Sequence, residues 1–255
     1  MRKICPLCGS MKTKTLFMAS NWGISTCLNC TNAWTEPPPG NIKYDEKNFH
    51  SQFGFREVTE LPIQWKKGIL MQADLLTRYL WPKARILEIG CGEGLFLREL
   101  SRRGFDIYGI EASKTAAEFA QKSGLNVITG YFPDTQLSGT FDAVVLSHVL
   151  EHIPEPIDFL DLLGKTASGG YILLVQSNWK GLVPRYHKKK WYAWVPEQHI
   201  WHFTPKGLEL LLKNLNWRVN RVEYSSLSHG NSIVSLIGEA IPRLGDQFHL
   251  LASIP

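Results

Sequence analysis

The segment Arg85-Ile-Leu-Glu-Ile-Gly-Cys-Gly-Glu-Gly94 runs from an apolar stretch into three glycines spaced two apart. The residues after it, Leu95-Phe-Leu-Arg-Glu-Leu100, suit a helix that stops near Gly104. The order is therefore strand, tight turn and helix start. Without a Cβ, Gly90, Gly92 and Gly94 admit positive φ and let the backbone approach a ligand at the carboxyl end of the strand. Such a turn is not diagnostic alone, because glycines also cap helices and close hairpins.

Its surroundings narrow the choice. Residues 105–110 read as a strand ending in Glu111, and Ser113 caps a helix to about Lys122. Residues 125–130, 141–146 and 170–175 are three further strands, the last reached through a helix starting near Glu155. Thr204 caps a helix over 206–215, and 217–224 and 246–252 complete seven strands. Residues 233–241 fit helix or strand, with helix favoured. Alternation of strands and helices predicts a mostly parallel α/β sheet of Rossmann-like type with helices on both faces, which binds ligands beyond the carboxyl ends of its strands. Glu111 lies 17 residues after Gly94, where a carboxylate can accept both hydroxyl protons of a ribose; the plainer alternative is an acid beside the helix cap. Glu88 is an acid inside an apolar strand end, costly to bury unless the turn's backbone or a ligand ammonium satisfies it.

The amino-terminal region carries separate chemistry. Cys5-Pro-Leu-Cys8 and Cys27-Leu-Asn-Cys30 are two C-x2-C pairs with 18 residues between them. That spacing suits two knuckles closing on one tetrahedral zinc ion, a structural site because four thiolates leave no position for water. A disulfide pair is the alternative, disfavoured if the chain resides in a reducing compartment. The pattern resembles a zinc ribbon over 1–40, bounded by Pro37-Pro-Pro-Gly40. Residues 41–80 read as a linker with Tyr44, Phe49, Phe53 and Phe55, then a helix over 63–80. The main domain spans 81–255.

Composition is ordinary for a globular protein, with 44% apolar and 20% charged residues. The formal net charge of +5 falls to about +3 once four thiolates and a divalent ion are counted, too mild to require nucleic acid. No apolar run reaches membrane-spanning length and Met1-Arg-Lys-Ile-Cys-Pro has no apolar signal core, so no membrane partner and a cytoplasmic location are expected. The sequence sets no oligomeric state.

Taken together, Glu88-Ile-Gly-Cys-Gly-Glu-Gly94, Glu111, Phe141-Asp142 and Ser147-His-Val-Leu-Glu-His152 resemble the motifs of class I S-adenosylmethionine-dependent methyltransferases. The likeness covers about half the chain, from Arg85 to Trp217. A nicotinamide fingerprint fits less well, since its third glycine would fall at Leu95. The resemblance implies that Gly90, Gly92 and Gly94 approach the methionine part of S-adenosylmethionine and that Glu111 holds its ribose. It also implies that Ser147 and His148 line the cofactor's other side. The family often has an acid after the third strand to contact adenine; Tyr131-Phe132 stands there instead and implies an aromatic contact.

Methyl transfer mainly requires holding a nucleophile in line with the sulfonium, and a histidine is the natural base at neutral pH. His148 and His152 follow the fourth strand, and His199 and His202 precede the last capped helix. His148 and His152, four apart, would share a face of a helical turn, but no third ligand is evident for a metal. The insertion at 177–203 holds Trp179, Tyr186, Trp191, Tyr192, Trp194 and Trp201 with Arg185, His187 and Lys188-Lys-Lys190. It reads either as a hydrophobic flap with a solvated basic tip or as an acceptor lid for an anionic group. Glu197-Gln-His-Ile-Trp-His-Phe-Thr204 resembles a segment of small-molecule and sugar methyltransferases, which implies base or positioning roles for His199 and His202. A small-molecule acceptor, sugar-like or otherwise anionic, is expected. The alternative is RNA held by the ribbon and the lysine tip, against which the ribbon is only modestly basic and Ser147-His-Val-Leu150 lacks the Asn/Asp-Pro-Pro-aromatic tetrad.

Overall fold

The structure, a computed structural model, describes residues 3–19, 21–40, 57–226, 237, 241 and 243–255. The linker aromatics Tyr44, Phe49, Phe53 and Phe55, and most of the expected helix at 233–241, lie outside the described residues. A four-stranded sheet has the order β1-β2-β3-β9, from Thr13–Ala19, Trp22–Cys27, Ala33–Glu36 and Trp201–His202. The other strands are β4 (Arg85–Ile89), β5 (Asp106–Glu111), β6 (Val127–Thr129), β7 (Ala143–Ser147), β8 (Tyr171–Ser177), β10 (Arg218–Ser225) and β11 (Gln247–Ser253). They form one mostly parallel seven-stranded sheet of order β10-β11-β8-β7-β4-β5-β6, the Rossmann-like α/β arrangement expected. Among the described residues no helix is long and apolar enough to cross a membrane.

The chain divides into two compact units. One comprises Lys43–Val149, Leu162–Leu174 and Leu251–Pro255. In it β4 pairs in parallel with β5 and with β7, and β5 with β6. Ile86, Leu87, Val144, Val145 and Leu146 are wholly or almost wholly buried, as a central parallel strand covered on both faces demands. Each such side chain contributes about 1.5–3 kcal/mol of burial. Helix α1 (Ile63–Tyr79) packs on α2 (Leu95–Arg102), which turns Phe96, Leu97 and Leu100 inward. The Ser113 side chain caps α3 (Lys114–Lys122) by accepting from Ala116 N at 3.2 Å.

The second unit comprises Met1–Ile42, Leu150–Asp161 and Val175–Leu250. The insertion is ordered in it: α5 (Leu182–His187) follows α4 (Pro156–Thr166) in the chain, and a 3-10 turn over Lys188–Lys190 leads on toward β9. Trp191 packs with Val183 and Ala193 in a buried cluster that Trp179 and Trp194 cover. Phe17 of β1 meets Trp194 edge-on, with ring centroids 5.3 Å apart. Strand β9 pairs antiparallel with β3, Ala33 opposite His202 and Trp34 opposite Trp201. Helix α6 (Pro205–Asn214) begins at Thr204, whose side chain accepts from Gly207 N at 3.0 Å. Asn32 Oδ1 accepts from Thr204 N at 3.1 Å, and a Cβ on Gly207 would stand 1.8 Å from that oxygen. Glycine is therefore required where the helix start meets Asn32.

Candidate functional site

The turn after β4 is built as its glycines require. Gly90, Gly92 and Gly94 have φ of 72°, 55° and 77°. A Cβ on Gly94 would lie 2.3 Å from Leu125 Cδ1, so this residue is fixed by packing as well as by its backbone. Gly90 is exposed and Gly92 partly so, leaving this backbone open to a ligand. Glu111 closes the turn from the end of β5: Oε2 accepts from Gly92 N at 2.7 Å and Oε1 from Ser113 N at 2.8 Å. Two amides aim one carboxylate and link the glycine turn to the helix cap, as the plainer reading of an acid beside that cap expects.

Glu88 lies behind this turn, 4% exposed. Its Oε2 has no hydrogen-bond partner among the described residues. Burial first, and the Glu111 carboxylate second, hold the Glu88 carboxyl well above the usual carboxylate range. Burying such a group uncompensated costs about 2–7 kcal/mol, a cost that an ammonium group of a ligand would relieve. The exposed glycine backbone, the amide-held carboxylate and this orphaned acceptor fit the amino-acid and ribose parts of S-adenosylmethionine. Ser147 ends β7 and the next residue, His148, has a left-handed φ of 54°, a conformation costly for a residue with a Cβ. Tyr131 and Phe132 follow β6 directly, Tyr131 exposed and Phe132 half-buried.

In the second unit the four cysteines converge. Cys5 Sγ lies 3.7 Å from Cys30 Sγ and Cys8 Sγ 3.6 Å from Cys27 Sγ, and all four sulfurs fall within 4.8 Å of one another. All four are free thiols rather than disulfides. The amides of Asn29 and Cys30 point at Cys27 Sγ, at 3.3 and 3.4 Å, as they would to support a thiolate. The hydrogen bond from Cys30 pulls the Cys5 thiol down to about 5 and pushes Cys30 up. This donor set fits a tetrahedral, all-sulfur ion with no open position.

The histidines come together through pairing that is distant in sequence. Thr35 N donates to Ile200 O and Ile200 N to Glu151 O, both at 2.9 Å, while Trp201 Nε1 donates to Ile153 O at 2.8 Å. His152 and His199 meet edge-on at 4.8 Å between ring centroids, and His202 packs against Trp194 at 4.5 Å. Thr35 Oγ1 spends its one proton on His199 O at 2.7 Å, so in its 3.3 Å contact with His202 Nε2 the ring nitrogen is the donor. Burial first, then His199, holds His202 well below the usual histidine range despite Glu151 nearby, so it is neutral at physiological pH. A base role for His202 is thereby confined to Nδ1. His148 does not share a helical face with His152, because the only turn there is the 3-10 helix Leu150–His152, which starts after it. Among the described residues the grouping is Glu151, His152 and His199 instead.

Glu151 and Gln176 were not singled out from the sequence. Glu151 Oε2 accepts from Gln176 Nε2 at 2.9 Å, and both side chains are buried. The available signal was a polar Gln176 after the apolar 171–175 run.

The strand order and the carboxylate-closed glycine turn define a class I, nucleotide-cofactor α/β fold. Residues 66–222 match the family described as Methyltransferase domain, and the chain belongs to that family of S-adenosylmethionine-dependent methyltransferases. A ubiquinone biosynthesis O-methyltransferase of Caulobacter sp. (strain K31) is 39% identical over 101 residues, covering 36% of this chain and 39% of that protein. The mitochondrial ubiquinone biosynthesis O-methyltransferase of Schizosaccharomyces pombe is 29% identical over 160 residues, covering 54% of this chain and 56% of that protein. The chain thus matches about half or less of the length of these relatives. The magnesium protoporphyrin IX methyltransferase of Synechocystis PCC 6803, solved with bound S-adenosylhomocysteine, superposes with a TM-score of 0.58 at 17% identity. That match covers 77% of this chain and 89% of the other, and it supports the fold.

Proposed function

We propose that this chain transfers the methyl group of S-adenosylmethionine to a hydroxyl oxygen of a small-molecule acceptor, sugar-like or otherwise anionic. The observation that carries the donor half is Glu111, aimed by the amides of Gly92 and Ser113 at the end of β5. In this reading Gly90, Gly92 and Gly94 lie along the methionine part and Glu88 receives its ammonium. Glu111 takes the ribose hydroxyls, Tyr131 and Phe132 the adenine, and Ser147 and His148 line the other side. When bound, the cofactor supplies a methyl group that is already electrophilic, so the protein's task is to position the acceptor and hold its proton. His152, His199 and His202 are assigned to the acceptor, and Lys188, Lys189 and Lys190, all exposed, suit its anionic character. The names of the ubiquinone-pathway relatives support an oxygen nucleophile and give no support to an RNA acceptor. Cys5, Cys8, Cys27 and Cys30 hold a structural zinc ion in this proposal.

Incubation with methyl-labelled S-adenosylmethionine, hydroxylated small molecules and bulk RNA tests the reading. Label is expected in the small-molecule fraction. Label confined to RNA would overturn the acceptor half and leave the donor half standing.

A further inference from the structure

We infer that Glu151, His152 and His199 bind one divalent transition-metal ion of the zinc or iron(II) type, distinct from the ion of the four cysteines. One ligating atom from each residue lies within 4.8 Å of the others. A carboxylate with two imidazoles is a donor set that holds such ions while leaving coordination positions open.

The supporting hydrogen bonds favour ligation. His152 Nδ1 is 3.0 Å from Gln198 O and His199 Nδ1 is 3.0 Å from Ala193 O. A carbonyl only accepts, so both rings carry a proton on Nδ1, which assigns Nε2 of each as the ligating nitrogen. Backbone carbonyls holding Nδ1–H are the usual support of metal-binding histidines, since they fix ring orientation and raise the basicity of Nε2. Glu151 is steadied in the same way by Gln176. Tetrahedral bonds of about 2.1 Å set ligand atoms about 3.4 Å apart, so the group has to close by roughly an ångström on binding.

The space beside Glu151 and His199 has the right size. Glu151, Gln176, His199 and Trp191 line a cavity of about 10 Å³, room for a single water or ion. Trp191 is 3% exposed, and its Nε1–H has no acceptor among the described residues. A buried donor left unpaired costs about 1–3 kcal/mol, and an oxygen at an open position of the ion would satisfy it. An ion here would also lower the pKa of a coordinated hydroxyl, giving the fold an acceptor-activating group other than a free imidazole. The inference does not depend on methyl transfer, because metal binding is measured without cofactor or acceptor.

The test is metal stoichiometry of the intact chain reconstituted with cobalt(II) and followed by absorption spectroscopy. The wild type should take up two ions per chain, one with intense thiolate-to-cobalt bands and one with only weak ligand-field bands. His152→Ala and Glu151→Ala should lose the second ion while keeping the thiolate bands, which report an intact cysteine site. The milder His199→Gln should weaken the second ion at least about 10-fold. A wild type that binds only the thiolate-ligated ion, or a second ion retained unweakened in all three variants, would overturn the assignment.

Discussion

The glycine turn and the histidine group are built in opposite ways. The polar groups of the turn, from Glu88 through Gly92 to Ser113, lie within two consecutive strand–turn–helix units, and Gly92 N reaches Glu111 across a sequence separation of 19. The histidine group depends on Thr35 reaching His199 O across a separation of 164. It also depends on Glu151 meeting Gln176 across 25. A local motif repeats intact wherever its fold recurs, while a group assembled by distant pairing can change with any of the segments that supply it. The glycine turn is accordingly complete within a short stretch of chain, and the histidine group is complete only when distant segments pair.

That contrast can be broken most severely at the cysteines. Replacing Cys8 and Cys27 by Ser should abolish metal binding by the thiolates and loosen β1–β3, since structural zinc supplies about 10–16 kcal/mol of apparent binding energy in small zinc modules. We expect loss of ordered near-ultraviolet circular dichroism from the Trp22 and Trp34 region, together with retained S-adenosylhomocysteine binding. Loss of both signals together would show that the two regions fold as one.

Gly92→Arg should reduce S-adenosylhomocysteine affinity at least about 100-fold, because a side chain would enter the turn at a left-handed backbone position. Glu111→Ala leaves two amides without their acceptor and should cost a comparable amount, each charge-assisted bond being worth about 1.5–3 kcal/mol. Neither change should alter metal content.

Gly207→Ala sharpens the other side of the contrast. It should destabilise by about 1–3 kcal/mol through collision with Asn32, and Asn32→Ala should recover part of that in the double variant, as measured by denaturant unfolding. Additive losses would show that the Asn32 contact does not set this requirement.

The smallest effect concerns Glu88. Burial first, and the Glu111 carboxylate second, raise its carboxyl in the fold, so the folded state holds this proton to higher pH than the unfolded chain does. The stability it contributes is full below the ordinary carboxylate pKa and is lost as pH rises through the raised value. Glu88→Gln should therefore flatten the decline in thermal stability of the cofactor-free protein as pH rises above the ordinary carboxylate range, while weakening S-adenosylhomocysteine binding.

The sheet was legible because its signals are short-range. Apolar runs at 85–89 and 143–146, the Ser113 and Thr204 caps and the three glycines each act within a few residues, and all seven expected strands form. The third is trimmed to Val127–Thr129, half of the expected 125–130. The convergence of the four cysteines was legible because paired C-x2-C spacings suit one tetrahedral ion. The ordering of 177–203 was not, since it rests on β9 pairing with β3 and on Trp194 meeting Phe17, and neither leaves a periodic trace. For the same reason the four-residue spacing of His148 and His152 suggested a shared face that the 3-10 turn at Leu150–His152 does not provide. His199, distant in sequence, joins His152 instead.

The division of labour between the two regions is tested most directly by calorimetric titration of S-adenosylhomocysteine into the wild type, Gly92→Arg and His199→Ala. The account predicts one binding site in the wild type, unchanged affinity in His199→Ala and no binding heat in Gly92→Arg. A wild type that binds nothing, or a folded His199→Ala protein that loses the cofactor as Gly92→Arg does, would contradict it.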